Sequence, residues 1–293
     1  KASVVESGKP TVTTEYEFRE GMSTSSRFLK GGGYMLKVPA IDIAEVGAGG
    51  GSIAWIDEGG LLRVGPRSAG ADPGPACYGR SNEKPTVTDA DVYLGYLNPR
   101  GLAGGSLAIN PELSETAIRT CVAEPLGISV LEAAQGIRRI ANLEMARAIR
   151  SVTVERGQDA RDMTLMAAGG GGPAHAGEVA EILGIKKVVV TPLSGVFCSL
   201  GMLSADVEYS FVRTVLTPLD DLDPGLLHDN ARDLRSEANE RMMEEGFPAD
   251  AVIHEYSVDV RYVGQSSEVM LDYGLEMSAQ DIRRSFLEAY MRL

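Results

Sequence analysis

Cysteine, histidine and basic runs are scarce in this 293-residue chain, and each scarcity removes a class of function. The three cysteines, Cys77, Cys121 and Cys198, are odd in number and form no Cys-x-x-Cys pair, which fits a reducing compartment and offers no zinc site. Against 41 acidic residues stand only 28 Lys and Arg, a net charge of -13, and no Lys/Arg-rich run occurs. That balance argues against a nucleic-acid groove or an anionic membrane surface. No apolar run is long enough for a membrane-spanning helix, and Lys1 opens no signal peptide, so the chain is expected to be cytoplasmic. The start without an initiator Met and the end at "FLEAYMRL" are expected to mark a segment cut from a larger polypeptide. No GxxxxGK[ST] phosphate loop is present, so any phosphate must be met by backbone amides and a metal.

What the chain does have is glycine, 34 of them, and an α/β pattern. Residues 34–46 read as extended, and Ser52 to Asp57 with Leu61 to Gly65 read as a hairpin around "EGG". A short helix is predicted near Thr88, and "LAGGSLAIN", Leu102 to Asn110, reads as a linker. These divide the chain into a β-rich part, 1–105, and an α/β part, 106–293. In the second part Ser129 and Glu132 form a capping box. The helix after it places Leu131, Ala134, Ile137, Ala141, Met145 and Ala148 on one face, opposite Arg138, Arg139, Asn142 and Arg150. Met163 to Ala168 reads as a buried strand, Gly169 to Gly172 as a turn, Pro173 as the first helical residue, Gly184 as the stop and Lys187 to Thr191 as a second strand. Asp223 and Pro224 open a long charged helix ending near Gly246, and "IHEYSVDVRYVGQSSEVMLDY" alternates as a strand pair.

Glycine within a strand-turn-strand is costly in backbone entropy, so two glycine clusters stand out: "GAGGGS" at 47–52 and "GGGG" at 169–172. Gly169, Gly171 and Ala174 satisfy the GxGxxA dinucleotide pattern, but "KKVVVTPLSG" carries no acidic residue to hold a ribose hydroxyl. The residues fit a nucleotide held by two separated glycine turns.

Four stretches, "GAGGGSIAWID", "VGPRSAGADPGPACYG", "PTVTDADVYLGYL" and "GGGGPAHAGEVAEILGI", together resemble the hydantoinase A/5-oxoprolinase family of ATP-dependent hydantoinase subunits, relatives of acetone carboxylase subunits. The resemblance implies an α/β, actin-like (ribonuclease H-type) ATPase fold, here partial, whose upstream lobe with an Asp-x-Gly-Gly-Thr first phosphate loop is missing. It implies that Gly47, Gly49, Gly50, Gly51 and Ser52 form the second phosphate loop, and that Gly169, Gly170, Gly171 and Gly172 lie against adenosine. Gly47 stands where the wider superfamily has a metal-holding Asp, so Asp42 or Glu45 is expected to supply a carboxylate for Mg2+ (or Mn2+), with Asp57 and Asp89 more distant candidates. Asp89 is equally explained by a helix dipole, and His175 either donates to phosphate or substrate or caps locally. Arg67 and Asp72 are expected to meet a polar ring or a partner, and "TPLSGVFCSLGMLSADV" resembles the connecting helix between lobes.

The implied activity is hydrolysis of a cyclic amide (hydantoin, N-methylhydantoin or 5-oxoproline) activated by the ATP γ-phosphate, with a hydantoinase B-type partner subunit and the fragment alone inactive. An ATP-dependent carboxylase subunit and a non-catalytic actin-like nucleotide-binding module remain open. On this reading Gly50→Val abolishes turnover and leaves the fold intact.

Overall fold

The computed structural model describes residues 1–13, 16–18, 24–25, 34–36, 40–265 and 268–291. They fall into two compact units, Lys1–Ala205 and Asp206–Leu293.

The first unit opens with short antiparallel pairs: Ala2–Ser3 with Ile43–Ala44, Val5–Glu6 with Lys9–Pro10, and Val12–Thr13 with Ala40–Ile41. The extended reading of 34–46 holds at Tyr34–Leu36, Ala40–Ile41 and Ile43–Ala44, while 37–39 lies outside the described residues. Strands β1 (Ser52–Ile56) and β2 (Leu62–Ser68) form the expected hairpin, with Ala54 opposite Val64 and Ile56 opposite Leu62. Helix α1 (Val87–Tyr93) starts one residue before Thr88, because Thr86 is its cap. Thr86 and Asp89 exchange hydrogen bonds as a capping box.

The stretch expected to be a linker is a tight turn, clipped by an antiparallel bridge between Leu102 and Leu107. At its end Asn110 caps α2 (Pro111–Ile118) and donates its amide to the Cys77 carbonyl at 2.7 Å. One apolar cluster spans this turn, with Ala54, Val87 and Ala90 from before it and Ile118, Val122, Ala134 and Ile137 from after it.

Helix α3 (Val130–Val152) carries the expected Ser129–Glu132 capping box. Its buried stripe is shifted from the one expected: Ala134, Ile137, Ala141 and Ala148 are buried, but Leu131 is half exposed, and Ala133 and Ala146 are buried beside them. Small residues let neighbouring elements approach closely. Arg139 and Arg150 face water as expected, whereas Arg138 and Asn142 are buried.

Strand β3 (Thr164–Ala167), helix α4 (Gly172–Leu183) and strand β4 (Lys187–Val190) make the βαβ unit, with parallel pairing from Thr164–Lys187 to Ala167–Val190. Gly172 precedes Pro173 in the helix, and Gly184 ends it with a left-handed φ of 71°. Val179, Ala180 and Leu183 pack with Ala146 of α3 and Ala160. Contrary to the sequence reading, β3 is not a buried strand: Ala167 is buried but Met166 is 52% exposed, because alternate side chains point to opposite faces and α4 covers one. Helix α5 (Phe197–Ser204) follows.

In the second unit Asp223 caps α6 (Pro224–Glu244), accepting from the Gly225 amide at 2.9 Å. Strands β5 (Ser257–Val260) and β6 (Val269–Asp272) pair antiparallel as expected. Helix α7 (Ala279–Tyr290), capped by Ser278 and Asp281, lays Ile282 and Phe286 on Leu271 and Tyr273.

Candidate functional site

The two glycine clusters differ in what surrounds them. In the loop at 47–52, Ser52 closes the turn: its Oγ accepts from the Gly49 amide at 3.0 Å and donates to the Gly47 carbonyl at 3.2 Å, and its own amide donates to the Gly49 carbonyl at 2.9 Å. The Gly50 carbonyl accepts from the Thr88 amide, and the Gly51 carbonyl from Ala69, each at 2.8 Å. A β-carbon on Gly50 would stand 2.6 Å from Thr88 Oγ1, and one on Gly51 2.8 Å from Ser68 Oγ. Thr88 is buried, so Gly50 is required by packing against the chain itself, whereas the exposed Ser68 can turn its hydroxyl away from a side chain on Gly51. The Thr88 contact alters the expectation for Gly50→Val, which would strain the fold as well as any phosphate contact. Gly49 has open space at its β-position.

At 169–172 the position is reversed. A β-carbon on Gly169, Gly170, Gly171 or Gly172 would meet nothing within 4 Å. Gly169 adopts a left-handed φ of 86° and donates its amide to the Ser194 carbonyl at 2.7 Å, which justifies one glycine as a turn residue. The other three are needed neither by φ nor by contacts within the chain. Gly171 caps α4 without a side chain; the Ala174 amide donates to the Gly171 carbonyl at 3.1 Å and Pro173 has no amide proton, which leaves the Gly172 amide to an outside acceptor.

His175, in that first turn, is buried, and its Nδ1 lies 2.7 Å from Asn142 Oδ1 on α3. Its Nε2 stands 3.1 Å from Asp91 Oδ2 without the alignment of a full hydrogen bond. His175 thus faces the protein interior, between α1 and α3. Helix α1 connects the two glycine clusters: Thr88 meets Gly50, and Asp91, one turn on, meets His175.

The carboxylates expected to hold Mg2+ are each committed elsewhere. Asp42 is buried and ion-paired with Arg156, whose Nη2 donates to Asp42 Oδ1 at 2.7 Å. Glu45 pairs with Lys1 Nζ at 2.6 Å. Asp57 serves the β1–β2 turn, accepting from the Gly59 and Leu61 amides and from Arg63 Nε; the Leu61 amide foremost, then Arg63, holds its carboxyl below the usual range. Asp89 accepts five hydrogen bonds, from the Ala76, Cys77 and Thr86 amides and the Thr86 and Ser114 hydroxyls, all between 2.8 and 3.0 Å. It pins the Gly-Pro-rich loop at 69–79 onto α1. Among the described residues no three His, Cys, Asp or Glu side chains gather as a metal-binding group. These residues do not fit a protein-held divalent cation.

The sequence reading missed Arg138 and Asp91, which form a buried ion pair. A signal was present in hindsight: Arg138 lies next to Ile137 on the helix, at the edge of the apolar stripe. Arg67 and Asp72 are exposed.

A family model described as hydantoinase/oxoprolinase matches residues 1–211. The caprolactamase alpha subunit of Pseudomonas jessenii is 42% identical over 92% of this chain and 38% of its own length. The acetophenone carboxylase gamma subunit of Aromatoleum aromaticum is 38% identical over 79% of this chain and 32% of its own. The crystal structure of the ATP-dependent caprolactamase from Pseudomonas jessenii superimposes with a TM-score of 0.72 at 41% identity, covering 92% of this chain and 40% of that one. The chain spans under two-fifths of the length of these curated relatives. No helix among the described residues is long and apolar enough to cross a membrane. With a matching model over most of its length and relatives at this identity, the chain belongs to the hydantoinase/oxoprolinase family.

Proposed function

We propose that this chain is part of an ATP-dependent enzyme that opens a cyclic amide, with Gly169–Gly172 lying against adenosine and the 47–52 loop facing the phosphates. The observation that carries this reading is the open space beside the glycines of the 169–172 turn, three of which neither φ nor packing within the chain explains. The attachment of both clusters to α1 favours one ligand spanning them.

A cyclic amide resists water because its nitrogen lone pair delocalises into the carbonyl. ATP, when bound, supplies a γ-phosphoryl group whose transfer to the amide oxygen makes the carbonyl carbon a better acceptor. The protein's share is positioning and charge stabilisation by backbone donors. Among the described residues no hydrogen bond uses the Gly50 or Gly51 amides, so both remain for phosphate oxygens, while Ser52 holds the loop's shape. The N-terminus of α4, with the Gly172 amide, adds a positive dipole end. His175, facing Asp91 and Asn142, supports the turn from behind rather than meeting substrate. An actin-like closure of two lobes and a hydantoinase B-type partner belong to the same proposal; that the curated relatives above are named as subunits supports the latter. The acetophenone carboxylase relative favours a second reading, phosphoryl activation of a ketone or bicarbonate.

The test is ADP release by the full-length protein with its partner subunit, offered hydantoin, N-methylhydantoin, 5-oxoproline, caprolactam, or a ketone with bicarbonate. Stimulation by one cyclic amide supports the hydrolase, and stimulation by ketone plus bicarbonate alone moves the assignment to carboxylation. A β-carbon on Gly170 meets no neighbour, so Gly170→Val is expected to keep the fold and lose nucleotide binding. Unchanged nucleotide affinity would sink the adenosine assignment.

A further inference from the structure

Arg138 is the buried cation of the first unit's helix junction, its side chain only 4% exposed. Its planar fork makes three hydrogen bonds to two other helices. Nη1 donates to Asp91 on α1, Nε to Glu178 Oε1 of α4 at 2.9 Å, and Nη2 to the Ala174 carbonyl in the first turn of α4 at 2.6 Å. The Tyr96 ring lies 3.5 Å from the guanidinium carbon. Asn142, one turn along α3, donates Nδ2 to Glu178 and turns Oδ1 to His175. An amide oxygen only accepts, so this arrangement places a proton on His175 Nδ1.

Burying a guanidinium and a carboxylate is expensive, and apolar side chains of similar size would hold helices together at less cost. Burial opposes the Arg138 charge, yet Glu178 and Asp91 more than offset it and keep the group firmly cationic. What an ion pair adds over apolar packing is direction, since each N–H accepts only a narrow range of acceptor positions. Direction matters here because the glycine turn has no side chains of its own with which to fix its place.

We propose that Arg138 is a positioning residue: through Asp91, Glu178 and the Ala174 carbonyl it locks the first turn of α4, and with it Gly169–Gly172, in register with α1 and the Gly50 loop. This inference rests on the nucleotide reading above. Held this way, the two glycine clusters keep a fixed separation for a ligand that spans them, and binding need not order the turn first.

The experiment uses the full-length protein as wild type and Arg138→Gln, with Glu178→Gln as a milder second variant should the first not fold. Hydrogen exchange of the amides at 169–177 and ADP affinity by calorimetry are read together. In Arg138→Gln, exchange at 169–177 rises about tenfold while that at 52–56 is unchanged. ADP affinity falls about tenfold, in keeping with the sensitivity of preorganised sites to small misplacements. In Glu178→Gln both changes have the same direction and are about threefold. A residue that only stabilised the fold would lower the melting temperature and leave the affinity of the folded protein unchanged. Unaltered exchange at 169–177, or raised exchange with unaltered affinity, overturns the inference while wild-type binding leaves the nucleotide reading standing. Failure of wild type to bind ADP overturns that reading and this inference with it.

Discussion

A β-carbon placed on Gly50 would stand 2.6 Å from Oγ1 of Thr88, the residue whose amide donates to the Gly50 carbonyl at 2.8 Å. The loop and helix α1 are in contact at a distance only glycine permits. Gly50→Ala is therefore expected to destabilise the protein by about 1–3 kcal/mol, the range for overpacking. Thr88→Ala in the same background should recover much of that loss, and a double-mutant cycle in urea would show it. Strictly additive effects would mean that the two residues do not meet in solution.

Asp89→Asn is expected to cost several kcal/mol, on the order of 3 or more, since one carboxylate oxygen becomes an NH2 group facing donors while buried. Divalent-cation affinity should be unchanged in the folded variant. Denaturation and a metal titration together check this, and a lost cation site would restore Asp89 to the metal.

Arg156→Met removes the partner of buried Asp42 and is expected to destabilise by about 3–5 kcal/mol. Replacing both residues together, Asp42→Leu with Arg156→Met, should cost less than the single change. The measurement is the urea midpoint of each, and equal losses in single and double variants would remove the ion pair as the cause.

Burial foremost, then the Asp89 charge, pushes the Cys77 thiol up to about 12. An unfolded cysteine ionises near 8.5, so above that pH the unfolded state sheds a proton that the folded state keeps. Stability is thus expected to fall with rising pH between about 8.5 and 12 by a component that Cys77→Ala removes. Alkylation at pH 8 should leave Cys77 unmodified until the protein unfolds, and rapid labelling of the folded protein would contradict its burial.

Local rules made several elements legible. The hairpin at 52–68, the capping box at Ser129, the βαβ order around Gly169–Gly184 and the paired strands near 257–272 each follow from neighbours within a few residues. The acidic residues were harder. Asp42, Asp57 and Asp89 look alike as sequence, and each was eligible for a metal. What distinguishes them is the partner: Arg156, far along the chain, the turn amides at 59 and 61, and two loop amides with two hydroxyls. Arg138 illustrates the converse. Helical spacing sent it to water, but Asp91 and Glu178 come from other elements and make burial tolerable.

The sequence by itself determined the family likeness, the two glycine clusters and the period of the main elements, because those depend on residue type and short-range spacing. Only the tertiary structure decided which glycines are spoken for by packing and which open onto space, and which charges are paired. A glycine's need and a carboxylate's role are set by atoms that the fold brings within about 3 Å, from positions whose separation along the chain carries no signal.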